Sequence, residues 1–388
     1  MSSYALPNSQ RDLAVESSLA REPASSPGTM RAGRLECMDF LRGIGALAVA
    51  VQHCGESIFP AFARFSFAYF NLGQFGLILF FLVSGFVIPL SLERSRSTQR
   101  FWIHRLFRLF PLYWFSLLVV VGLYLLGFDA IFEPAFRAGL WRNVAVNTTM
   151  LQGVFGVPQA IGLYYTLTIE LFFYIACTIL LMLRQFRNSY VLSWFLLLAV
   201  SAQWILEPLL LHRRTEMAGL FYGFTLFAGT LLYRYFKRTV SAKQVGMLLG
   251  AMVISSSWGV YLNDVLLKKP GAEFSYIGLY GSWLAGFALF LIIFALRDRQ
   301  FPPEAMWLGR VSYSVYLMHP IASFLFRQTG LSPVLMFLAT IASTLAVATV
   351  TYYAIEKPMI DLGHRVVGRE RTAARGAALH VVSRGSLR

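Results

Sequence analysis

Charge is scarce in this chain. Only 14% of its 388 residues are Asp, Glu, Lys or Arg, against roughly a quarter in soluble domains, so an ordinary soluble fold is excluded. Cysteine is scarcer still. Cys37, Cys54 and Cys177 are the only three, and their spacing fits neither a metal site nor a disulfide framework. They read as small apolar side chains within membrane-embedded segments. Several catalytic signatures are also missing: a G-x-S-x-G elbow, a phosphate-binding P-loop, a dinucleotide glycine pattern and an H-E-x-x-H helix. Their absence argues against the mechanisms they serve, and no metal is expected. The formal charge of +15 could suggest nucleic acid, but the basic residues fall in short clusters between apolar runs. The positive-inside bias of membrane proteins explains that distribution, so the expected partner is a lipid bilayer and no nucleic acid.

What the chain has in abundance is hydrophobic residues, 57% of the total, with 34 Phe, 18 Tyr and 8 Trp. Runs long enough to cross a ~30 Å hydrocarbon core recur about ten times, taking ~20 residues as the requirement. They fall near 41–62, 69–90, 110–128, 161–183, 190–206, 217–233, 245–262, 275–296, 311–326 and 334–355, with the fifth and ninth short. The expected fold is an all-α polytopic membrane protein of about ten transmembrane helices. Arg94, Arg105, Arg108, Arg184, Arg234 and Arg297 then fall on one side, which the charge rule makes cytoplasmic. Arg213 and Arg214 in an opposite loop dissent mildly. Both termini are expected in the cytoplasm. Residues 1–33 read as a disordered cytosolic tail, 34–362 as the membrane domain and 363–388 as a disordered basic tail. No internal repeat and no pair of broken helices is evident.

The first span, RLECMDFLRGIGALAVAVQHCGE, carries an ionisable group near each end. Arg42 and His53 are eleven residues apart, about three turns plus 20°, so they share a face and lie ~16 Å apart along the axis. Ionisable groups inside a membrane usually face a protein-lined cavity. A buried neutral imidazole can take a proton at neutral pH; alternatively, a lone histidine is a hydrogen-bonded packing residue.

Two further stretches carry charge. In FWIHRLFRLFPLYW, Arg105 and Arg108 are three apart and face one way; their forks suit phosphate groups, or they are a headgroup-contacting cluster. In LYYTLTIELFFY, Glu170 is a carboxylate in an apolar run at a depth of ~13 Å, close to the ~9 Å of His53. That agreement predicts Glu170 beside His53, orienting its ring; pairing with an arginine is the alternative. Ser84 and Gly85 read as helix-packing small residues. His319, followed by Pro320, either faces a cavity or marks a kink.

Six stretches together resemble the acyltransferase type 3 family of bacterial integral-membrane proteins: DFLRGIGALAVAVQH, FFLVSGFVI, HRLFRLFPLYW, YTLTIELFFY, LGRVSYSVYLMHP and YYAIEKP. They occur in the family's order over about 34–360. The resemblance implies an enzyme that transfers groups other than amino-acyl groups: an acyl group, often acetyl, moves from cytosolic acyl-CoA to a hydroxyl. Acceptors in the family are sugars of surface polysaccharides, lipid-linked glycans or small glycosylated metabolites. It implies the bacterial inner membrane as the location. By position His53 matches the family's essential histidine, Arg42 the arginine before it, Arg105 and Arg108 the pair implicated in holding CoA, and Glu170 a fourth-span glutamate. Tyr165 and Thr166 stand where the family more often has tryptophan and serine. A proton-coupled glycan transporter or flippase is the competing reading of the same buried residues.

Overall fold

The computed structural model describes residues 35–95, 97–215, 219–267 and 275–368, and within them there is no β-strand. The predicted tail at 1–33 and residues 369–388 lie outside the described residues. Each of the ten expected segments is a helix. They are α1 (Glu36–Ile58), α3 (Leu72–Ser95), α4 (Thr98–Leu125), α7 (Tyr164–Met182), α8 (Ser189–Leu211), α9 (Gly219–Phe236), α10 (Ala242–Tyr261), α11 (Tyr276–Ala295), α12 (Pro303–Arg327) and α13 (Pro333–Thr351). Short helices α2 (Pro60–Ala68), α5 (Pro134–Arg137) and α6 (Leu140–Asn147) fill the connections.

Among the described residues, seven helices are long and apolar enough to cross a membrane, and the protein is a multi-pass membrane protein. The three expected spans outside that set are α1, α9 and α12. Polar side chains lower their hydropathy: Asp39, Arg42, Gln52 and His53 in α1, Arg234 in α9, Ser312, Ser314 and His319 in α12. These residues sit inside the bundle. Asp39, Gln52, Arg234, Ser312, Ser314 and His319 are all buried, as intramembrane polar groups generally are.

Helix α3 is the central post. Its apolar stretch is 78% buried, against 22% for α8, which faces outward. It packs on α1, α9 and α11, while α12 covers the other side of α1. In lipid no hydrophobic drive holds helices together, so close packing must do it. Glycines supply the approach. A Cβ on Gly85 would lie 2.0 Å from the Leu226 carbonyl oxygen of α9. A Cβ on Gly309 would lie 2.2 Å from the Asp39 carbonyl oxygen of α1. Gly85 is thus the packing residue its sequence suggests, whereas Ser84 beside it turns inward to a carboxylate described below.

The last helix does not stop where sequence reading places its end. It passes through a π-helical turn, Tyr352–Glu356, and continues helically to Gly368. Residues 363–368 therefore belong to the folded domain. Packing holds them: Gly363 lies against Phe107, and the His364 and His104 rings sit 4.5 Å apart. Basic composition alone hides such contacts.

Gly85→Ala should push α3 from α9, because the obstructing atom is backbone and cannot turn away. Overpacking of this kind costs about 1–3 kcal/mol. Thermal unfolding of the purified protein should fall clearly for Gly85→Ala. It should stay unchanged for Gly122→Ala, whose Cβ would meet nothing within 4 Å. Equal melting temperatures for Gly85→Ala and the parent would contradict this packing.

Candidate active site

A cavity of about 710 Å³ opens at one end of the bundle, with His53 on its wall. Its lining mixes Asn71, Gln74, Tyr165, Tyr222, Tyr276 and Arg327 with aliphatic residues, and no lining residue is a carboxylate. The long connection before α7 forms part of the wall through Ile161, Gly162 and Leu163. Asn147 fixes that connection: its amide donates to the Asn143 and Pro158 carbonyls and its oxygen accepts from the Ala160 N–H.

His53 Nδ1 lies 2.6 Å from Glu56 Oε1, one helical turn along α1. A carboxylate can only accept, so Nδ1 carries the proton and Nε2 is left with a lone pair. Glu56 is itself fixed, because Gln52 Nε2 donates to its other oxygen at 2.8 Å. Gln52 is buried, and its Oε1 accepts the Leu72 N–H. The result is an anchored imidazole with a set tautomer. On its other side, the ring of His319 stacks on His53 at 5.7 Å and 14°. His319 is fully buried and bonds through Nδ1 to the Val315 carbonyl. It backs the His53 ring and lies within an unbroken helix despite Pro320.

Glu170 is not beside His53. Its Oε1 accepts from the Ser84 hydroxyl at 2.8 Å and from the Tyr174 hydroxyl at 2.7 Å. It faces a second, narrower cavity of about 60 Å³, together with Arg42, Arg105 and Arg108. The predicted Glu170–His53 pairing is therefore corrected to Glu56–His53. Equal depth along the membrane normal says nothing about which helices are neighbours. A partner three residues along the same helix needs no such coincidence, and H-x-x-E was the signal that could have found Glu56.

The two cavities share Leu77, Thr166 and Tyr316. The Tyr316 and Thr166 hydroxyls meet there at 2.6 Å and close the passage. The narrow cavity has room for about two waters. Its arginines are poorly satisfied from within. Arg105 is buried, has no ion-pair partner among the described residues, and its Nε has no hydrogen-bond partner. Phe101 and Tyr174 flank its guanidinium at 5.3 and 5.7 Å. Arg42 lies 4.0 Å from Asp39. Beyond it, a third cavity of about 280 Å³ adds Asp39, Arg310 and the buried Glu356, which accepts from Ser314 at 2.8 Å. Glu356 belongs to the YYAIEKP stretch, and a π turn holds it inward, as such turns often do at functional sites. One helix lines these three cavities and a further basic one at the arginine end: α3 contributes Gln74, Leu77, Ser84, Leu90 and Arg94 in sequence from the His53 end.

A family model described as an acyltransferase domain matches residues 35–353. The chain belongs to this acyltransferase family. It is accordingly an acyltransferase, and a transporter or flippase is not favoured. This acyltransferase is 25% identical over 316 residues to the exopolysaccharide production protein ExoZ of Rhizobium meliloti (strain 1021), covering 76% of this chain and 92% of that protein. It is 25% identical over 324 residues to nodulation protein 10 of Rhizobium leguminosarum bv. viciae, covering 77% and 85%. It is 28% identical over 153 residues to the acyltransferase MdmB of Streptomyces mycarofaciens, covering 37% and 38%. No solved structure matches the chain.

Glu56→Gln lets an amide N–H face Nδ1 and favours the wrong tautomer of His53. Acid–base catalysis by a side chain is worth about 10²–10⁴-fold, so turnover should fall by about 10² or more with the protein still folded. Turnover close to that of the parent protein would remove Glu56 from the site.

Proposed function

We propose that this acyltransferase moves an acyl group, acetyl in the first instance, from cytosolic acyl-CoA to a hydroxyl of a glycan or glycosylated small molecule. The observation that carries the reading is the line of cavities along α3, with an anchored imidazole at one end and a cluster of arginines at the other. An arginine at the bilayer centre costs about 2.5–3.5 kcal/mol on insertion scales. Three of them around one narrow cavity suit an anionic substrate that enters from the arginine end.

In this reading the bundle crosses the bacterial inner membrane ten times, with both termini and the arginine end in the cytosol. Arg42, Arg105 and Arg108 bind the donor, and Glu170 balances their charge while fixing Tyr174 and Ser84. The donor's arm extends past Tyr316, which must leave Thr166 to let it through. The acceptor occupies the larger cavity, where tyrosines and amides offer stacking faces and hydrogen bonds to a sugar. The name of the exopolysaccharide protein among its relatives supports a carbohydrate acceptor.

The chemistry then needs few groups. His53 Nε2 takes the proton of the acceptor hydroxyl as its oxygen attacks the thioester carbon. The new ester C–O bond forms and the C–S bond breaks. The departing CoA thiolate takes the proton back from the imidazolium. Glu56 stabilises the charge on His53 while it carries that proton.

His53→Ala should abolish acceptor-dependent release of CoA thiol from acetyl-CoA while the purified protein stays folded. Loss of activity by about 10²-fold or more is expected. Thiol release at a comparable rate in the variant would remove His53 from the chemistry.

A further inference from the structure

One basic cavity is not used by the steps above. It lies at the end of the bundle away from His53, has a volume of about 400 Å³, and is lined by Ser91, Arg94, Arg100, His104 and Arg105, with Val367 closing one side. It shares Arg105 with the narrow cavity, so the two adjoin at that guanidinium. Its polar lining is basic or neutral, with no carboxylate. The neighbouring cavity at the same end is different, since Asp39 and Glu356 stand among its arginines and would repel an anion.

Two polar atoms here lack partners. His104 Nε2 and Arg105 Nε are buried without a hydrogen bond. Most buried polar groups in folded proteins are paired, and both of these side chains line this one basic cavity. Arg100 makes no ion pair among the described residues either. The wall is built rather than incidental. The His364 ring packs on His104 at 4.5 Å, so the helical continuation of α13 holds that imidazole in place. Helix α3 gives the distance. From Leu77, where the passage meets the His53 cavity, to Leu90 at this cavity is thirteen residues, or ~20 Å along the axis. An extended phosphopantetheine arm covers that span.

We propose that this cavity seats the phosphate groups at the nucleotide end of the acyl-CoA donor, with Arg100 and His104 as ligands that the Arg105–Arg108 pair alone does not reveal. The inference rests on the donor reading above. It assigns the two cavities at this end different roles: phosphates enter the carboxylate-free one and not the one that holds Glu356.

The test uses the full chain in detergent and adenosine 3′,5′-bisphosphate, which carries the nucleotide phosphates without the pantetheine arm. Calorimetry should show binding to the parent protein, weakened tenfold or more by Arg100→Gln and by His104→Asn, with Arg100→Lys retaining part of it. Arg310→Gln, in the carboxylate-bearing cavity, should bind as the parent does. With acetyl-CoA, Arg100→Gln should raise KM and leave kcat unchanged. No binding of the bisphosphate, or weakening by Arg310→Gln alone, would overturn the proposal. So would thermal stabilisation by phosphatidylglycerol that depends on Arg100, with none by the nucleotide, which would assign the cavity to a lipid headgroup. Acetyl-CoA turnover by the parent protein separates the two readings. Turnover without bisphosphate binding sinks this subsite alone, whereas no turnover with any acceptor sinks the donor assignment whatever binds here.

Discussion

Everything in this structure follows from keeping ionisable side chains inside a bundle that lipid surrounds. A charge facing hydrocarbon is costly, so Arg42, Arg105, Arg108, Glu170, His53 and Glu56 must line water-accessible space or bond one another. Helix α1 meets the constraint by presenting its polar residues along one face, with Arg42 on the narrow cavity and His53 on the wide one. The other interior helices, α3 and α12, wall the same path with Ser84, Ser312 and Tyr316.

Close helix contact makes that interior possible. With Gly85 against Leu226 and Gly309 against Asp39, the backbones approach without intervening side chains. The space saved at these crossings leaves room for the cavities elsewhere. The same logic separates the inner from the outer helices: α3 is mostly buried, whereas α8 and α13 turn most of their apolar surface outward. The polar cavities thus lie among the central helices, and the outer ones shield them from lipid.

The sequence revealed much of this, and its failures are instructive. Apolar runs mark where helices form because the bilayer sets their length, and each expected run is a helix here. The shared face of Arg42 and His53 follows from helical periodicity alone. The neighbour of His53 did not follow, since depth does not fix which helices touch, and Glu170 belongs with Ser84 and Tyr174. The constriction was equally hidden, because Thr166 and Tyr316 are 150 residues apart in the chain. The folded segment at 363–368 was missed because its contacts, Gly363 on Phe107 and His364 on His104, are tertiary.

In the proposed function, donor and acceptor meet from opposite ends of one path through the protein. Sealed vesicles holding the protein in a single orientation test it most directly, with acetyl-CoA and a glycan acceptor each confined to one side and the acylated product measured. Product is expected when acetyl-CoA faces the arginine end and acceptor faces the His53 end, and none when both are confined to the arginine end. Equal product with both substrates on that one side would contradict it.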